Sequence, residues 1–180
     1  MWSPARDKNA ELLSYPPQLY QFITRISVGN KIAEQVQQTK LLGVILSDDM
    51  SWQANTRELV KKAYKRMLIL RKLQEFEVER KDLLKIYFQF IRSVIEQSSV
   101  VWSSALTQKD LDSLERVQKV ALKIILKHDY ISYDNALKLL TLPSIKERYD
   151  KLLHNFAVKC VKNPNISDML PRNPTNGRLR

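Results

Sequence analysis

The chain is poor in the residues that build several common folds and sites. One cysteine in 180 residues, Cys160, leaves no room for an internal disulfide framework or a cysteine-built zinc site. Three glycines and seven prolines are too few for a sandwich of short strands and tight turns, and three glycines hardly make a phosphate-cradling loop. The two histidines, His128 and His154, stand in no metal-ligand spacing, and Cys160 lies off the helical face of His154. No nucleophile–base pair is expected from them. The first residues lack the continuous apolar stretch of a secretory signal. Residues 83–102 have the length of a membrane span but carry Lys85, Arg92 and Glu96. Each such charge costs about 2.5–3.5 kcal/mol near the bilayer centre. The segment therefore reads as a helix buried on most sides, and the protein as intracellular, with no membrane contact.

What the chain has in excess is positive charge. Lys and Arg number 30 against 19 acids, a net charge of +11, within a globular balance of 44% hydrophobic and 27% charged residues. Residues 1–50 are neutral, with five basic and five acidic side chains; residues 51–100 hold eleven against six, and 101–180 fourteen against eight. The excess lies wholly in the part with helical periodicity. It points to a polyanionic partner, nucleic acid ahead of an anionic lipid surface.

Patterning divides the chain into four stretches. Residues 1–21 read as irregular, with Tyr15-Pro16-Pro17 ending any local helix. Residues 22–50 read as a few strands: 22–28 alternate, Gly29-Asn30 supplies turn chemistry into Lys31-Ile32, and 41–46 form one short apolar strand in which Gly43 permits a close backbone approach. Residues 51–162 have helical periodicity, and 163–180 read as a flexible tail. Ser51 is expected to cap a first helix with Leu59, Ala63, Met67, Leu70 and Leu73 inward. A second starts near Asp82, its apolar arc wide enough for the centre of a bundle. Thr107 with Asp110, Ser132, and Ser144 with Glu147 open three more. The fold expected is mainly α, a helical bundle preceded by a small β-hairpin.

Each chemically suggestive residue has a plain structural alternative. The Asp48-Asp49 doublet could hold magnesium for phosphoryl transfer only with further carboxylates; preceding Met50-Ser51-Trp52, it reads as acids favoured at a helix start. Arg92 and Glu96, one turn apart among apolar residues, read as a structural ion pair, and Trp52 and Trp102 as core anchors rather than base-stacking platforms. Arg116, Lys119, Lys123 and Lys127 recur at intervals of three, four and four, one stripe on a helix. Lys61, Lys62, Lys65 and Arg66 form a second cluster. Either alone could be a solvated face; two clusters with this net charge point to phosphate contacts, which position a nucleic acid without reading its sequence.

Lys40-Leu41-Leu42-Gly43-Val44, Ser47-Asp48-Asp49-Met50-Ser51-Trp52, Ile91-Arg92-Ser93-Val94-Ile95-Glu96 and Val100-Val101-Trp102 follow one another in order. With Leu114-Glu115-Arg116-Val117-Gln118 and Leu142-Pro143-Ser144-Ile145-Lys146-Glu147-Arg148, they resemble the reverse transcriptases of jockey-like non-LTR retrotransposons over roughly residues 30–160. The resemblance implies the end of a polymerase palm and the helical thumb after it, with Arg148-Tyr149 standing where an arginine pair is common. The family's catalytic carboxylates belong to an aromatic-Ala-Asp-Asp hairpin and an earlier palm strand, neither of which is present in this chain. RNA-directed DNA synthesis with magnesium is thus implied for a complete relative, and no catalysis or cofactor for this chain. Non-specific binding of a primer–template by the two basic clusters is the expectation. The missing palm and fingers, or another chain, would be needed for its stability. The alternatives are a domesticated protein-interaction module or a retroelement remnant without function.

Overall fold

In the computed structural model, which describes residues 27–28, 31–32 and 36–167, helices occupy most of the chain after residue 52. The fold is mainly α with small antiparallel hairpins. It forms two compact units, Met1–Gln37 and Gln38–Arg180. In the first, strand β1 (Ser27–Val28) pairs antiparallel with β2 (Lys31–Ile32), Val28 opposite Lys31. The Gly29-Asn30 turn, the irregular segment 1–21 and residues 22–26 lie outside the described residues.

The second unit begins with another hairpin, where the sequence reads as one strand. Strands β3 (Gln38–Leu41) and β4 (Val44–Ser47) pair antiparallel, with Leu41 opposite Val44. The chain reverses because Leu42 and Gly43 both take positive φ, 49° and 89°, the left-handed pair that matches strand twist in a two-residue turn. Gly43 also permits the close approach expected of it: a Cβ there would lie 2.4 Å from Gln97 Nε2. β4 turns Val44 into the core, and β3 is exposed along its length.

Helix α1 spans Gln53–Glu75. Ser51 does not cap it; Trp52 is the cap residue, with no side-chain hydrogen bond to the first turn. Ser51 is held back because Met50 takes a positive φ of 56° and the Ser51 N–H is given to Asp49 Oδ1. Leu59, Ala63, Met67 and Leu70 are buried, and Leu73 packs partly buried beside them.

The second helical stretch is α2 (Arg80–Ile86), a π-helical turn (Tyr87–Arg92) and α3 (Ser93–Ile95). Four of its buried residues, Leu83, Tyr87, Ile91 and Ile95, recur every fourth position, and Val94 is buried beside the last. On a regular helix that spacing drifts by about 40° per step; the wider π turn rotates less per residue and keeps the row inward. The turn's carbonyls gain side-chain donors: Arg66 Nη1 gives a hydrogen bond to Phe90 O at 2.8 Å, and Ser93 Oγ gives one to Gln89 O.

Short α4 (Ser99–Trp102) leads to α5 (Gln108–Leu126), capped by the Thr107 hydroxyl accepting from Asp110 N. α6 (Tyr133–Leu139) is capped by Ser132, and α7 (Ile145–Lys162) by a reciprocal Ser144–Glu147 box. α8 (Pro164–Ser167) makes the start of the expected tail helical; residues 168–180 lie outside the described residues. Thr56 and Val60 share a cleft with Thr107 and Ser113, and Gln74 and Val78 share one with Ile125 and Leu126. α1 and α5 therefore run side by side in the same direction. Among the described residues no helix is long and apolar enough to cross a membrane.

Candidate nucleic-acid interface

Helix α5 buries one arc and presents the other. Leu114, Val117, Gln118, Ala121, Leu122, Ile125 and Leu126 are buried. At 3.6 residues per turn, Arg116, Lys119 and Lys123 fall within about 60° on the opposite side; Lys127 stands just past the helix end, where its positive φ of 49° breaks the helical spacing, and all four are exposed. None makes an ion pair among the described residues. Two have aromatic neighbours instead: Lys119 Nζ lies 5.9 Å from the Tyr133 ring centroid and Lys123 Nζ 5.3 Å from that of Tyr130. A ring face attracts an ammonium without neutralising it, so these lysines are steadied and keep their charge. The one acid on this arc, Asp112, accepts from Gln108 Nε2 at 2.7 Å.

The helix is anchored beneath the stripe by a polar network. Gln118 accepts from the Tyr87 hydroxyl at 2.6 Å and donates to Tyr133 Oη and to Pro143 O, both at 2.9 Å. The Tyr133 hydroxyl donates to Glu115, whose carboxylate also takes the Ile145 N–H that opens α7. Burial pushes the pKa of Tyr87 up, and burial together with the Glu115 carboxylate does the same for Tyr133. These contacts set α6, and with it the Tyr133 ring, beside α5.

The α1 cluster is dispersed. Lys62 Nζ stands 3.6 Å from Glu58 Oε1, and Arg66 is engaged with the Phe90 carbonyl. Lys61 lines a groove with Gln38 and Ile45 of the β3–β4 hairpin; Lys65 is exposed. Lys61 and Lys65 lie about 100–180° around α1 from Thr56 and Val60, the residues facing α5. The stripe on α5 is thus brought together as a surface, and Lys61, Lys62, Lys65 and Arg66 are not joined to it. Arg57 and Lys109 line the α1–α5 cleft from its two helices and belong to neither cluster read from the sequence. Arg57 precedes Lys61 by four residues and Lys109 precedes Arg116 by seven, so helical spacing could have found both.

Arg92 and Glu96 do pair, at 3.0 Å and largely buried, and Glu96 has a second and better-aligned partner in Arg148. That hydrogen bond raises the Arg148 pKa. Trp102 is fully buried, gives its Nε1–H to Gln97 O at 3.0 Å and meets Tyr149 edge-on at 5.5 Å; Trp52 packs partly buried against the core. Both tryptophans are anchors.

The doublet engages its own backbone. Asp48 Oδ1 accepts from Asp49 N and Asp49 Oδ1 from Ser51 N, each at 2.9 Å; the second bond lowers the Asp49 pKa. Both acids are exposed, and among the described residues no group of three His, Cys, Asp or Glu side chains is placed to hold a metal ion. As placed, these carboxylates do not fit the magnesium implied for a complete relative. His128 and His154 are exposed and Cys160 is half-buried. Compared with family models, curated proteins and solved structures, the chain finds no match.

Proposed function

We propose that this chain is the thumb part of a retrotransposon RNA-directed DNA polymerase, which grips primer–template nucleic acid through phosphate contacts and performs no catalysis of its own. The observation that carries this reading is the α5 stripe: three exposed, ion-pair-free cations, Arg116, Lys119 and Lys123, within a narrow arc, two of them steadied over tyrosine rings, with Lys127 exposed just past the helix end. Spaced by single helical turns of about 5.4 Å, they can meet successive phosphates of one strand. No base-reading geometry is implied, so the grip is indifferent to sequence. Fluorescence anisotropy with two RNA–DNA hybrids of unrelated sequence tests it at low salt. Equal affinities, lowered alike by Lys119→Glu with Lys123→Glu, support the reading; strong preference for one sequence, or no loss in the variant, opposes it.

A second reading, a protein-interaction module, draws on α7. Its apolar row is buried at Ile145 and Tyr149 but runs on to Phe156, which is exposed. Size-exclusion chromatography separates the two: concentration-dependent association favours the module, a clean monomer that binds hybrid duplex favours the grip.

A further inference from the structure

The cleft between the first turns of α1 and α5 combines features that neither helix explains alone. It has a volume of ≈190 Å³ and is lined by Gln53, Thr56, Arg57 and Val60 from α1, and by Thr107, Lys109, Asp110 and Ser113 across from them. Thr56 is only 2% exposed, and its Oγ1 has no hydrogen-bond partner among the described residues. A buried hydroxyl left unpaired is costly, and native structures rarely tolerate one without a use. Arg57 and Lys109 form no ion pair among the described residues. α1 begins here with neither a side-chain cap nor an acid in its first turn.

The other polar groups of the cleft are already committed. Thr107 Oγ1 donates to Asp110 Oδ2 and accepts from Asp110 N, and Ser113 Oγ donates to Lys109 O. Asp110 is the one acid, and its carboxylate is turned to the Thr107 hydroxyl. What remains free is a set of donors: a guanidinium, an ammonium, a buried hydroxyl and the Gln53 amide.

We propose that this cleft binds a single phosphate oxyanion, held by Arg57 and Lys109 with the Thr56 hydroxyl as the buried donor. The identity of its source, a phosphodiester of the gripped strand, rests on the proposed function; the anion chemistry does not. Such a site would fix the register of a strand whose further phosphates run along the α5 stripe.

The test uses the full chain and two probes at constant ionic strength: inorganic phosphate by calorimetric titration against a chloride blank, and an RNA–DNA hybrid by anisotropy. The variants are Lys109→Gln, Thr56→Val and, as a stripe control, Lys119→Gln with Lys123→Gln. Thr56→Val is isosteric and removes an unpaired hydroxyl, so the melting temperature without phosphate should not fall. Phosphate binding should weaken by about tenfold or more in Lys109→Gln and Thr56→Val, because each loses a donor to a charged acceptor, and should be unchanged in the stripe control. A wild-type chain that takes up no phosphate, or a Lys109→Gln variant that binds it equally well, overturns the site. Hybrid affinity that falls in the stripe control and stays at the wild-type level in both cleft variants overturns the phosphodiester as the anion's source, while the grip stands. Phosphate binding with the predicted variant pattern, but no hybrid binding, keeps the site as one for free phosphate and removes the grip.

Discussion

Arg148 donates both arms of its guanidinium to Glu96, Nε to Oε1 at 2.8 Å and Nη2 to Oε2 at 3.1 Å, across 52 residues of chain. Arg92 adds a third contact to the same carboxylate from one turn away. One acid is therefore shared by two largely buried cations and ties α7 to the end of α3. The two-pronged fit is one that lysine cannot reproduce.

Glu96→Gln should accordingly be among the more damaging polar substitutions in the chain. It leaves two guanidinium groups partly buried without a counter-charge, at a cost of about 2–3 kcal/mol after allowance for their remaining exposure. Arg92→Met should cost less, since Glu96 keeps Arg148. Urea denaturation of the three proteins gives the order; Arg92→Met proving the worse of the two would contradict the network.

Gly43 lies at a turn where both backbone and packing demand glycine. Gly43→Ala should destabilise by about 1–2 kcal/mol through its positive φ alone, with more from the clash at Gln97. In a Gln97→Ala background the clash is relieved and only the backbone part should remain. Equal costs in both backgrounds, read from thermal melts, would show that the close approach is not felt.

Tyr87 and Tyr149 are buried, and burial raises both pKa values above the ordinary tyrosine value of 10.0. Below pH 10 neither the folded nor the unfolded chain ionises them, and stability is unaffected. As pH rises beyond that, the unfolded chain loses these protons first, so stability falls by about 1.4 kcal/mol per pH unit for each tyrosine until the folded-state value is reached. Tyrosinate absorbance and circular dichroism followed together should show these two rings ionising only with unfolding. Complete ionisation with helicity intact would contradict their burial.

The parts of this fold that were legible in the sequence are the local ones. Thr107, Ser132 and Ser144 cap the helices they precede, because a cap needs only a hydroxyl and an N–H three residues on. The inward row of α1 follows from periodicity alone. The hairpin turn at Leu42-Gly43 was hidden because it lies within an uninterrupted apolar run and puts a leucine at positive φ. The π turn was hidden because the same apolar row can be read as a wide face on a regular helix. Arg148 as partner of Glu96, and Gln118 with Glu115 as the ties to α6 and α7, depend on which helices meet, which no short spacing reveals. For the same reason the α1 residues read as a second phosphate-binding cluster, although Arg66 is drawn into a helix–helix contact.

The central claim is that the α5 stripe meets phosphates, and the salt dependence of hybrid binding tests it most directly. With four such contacts, log affinity should fall against log salt with a slope of about −3 to −4, and Lys119→Gln with Lys123→Gln should make that slope shallower by about 2. A slope unchanged in the variant, or binding indifferent to salt, would contradict it.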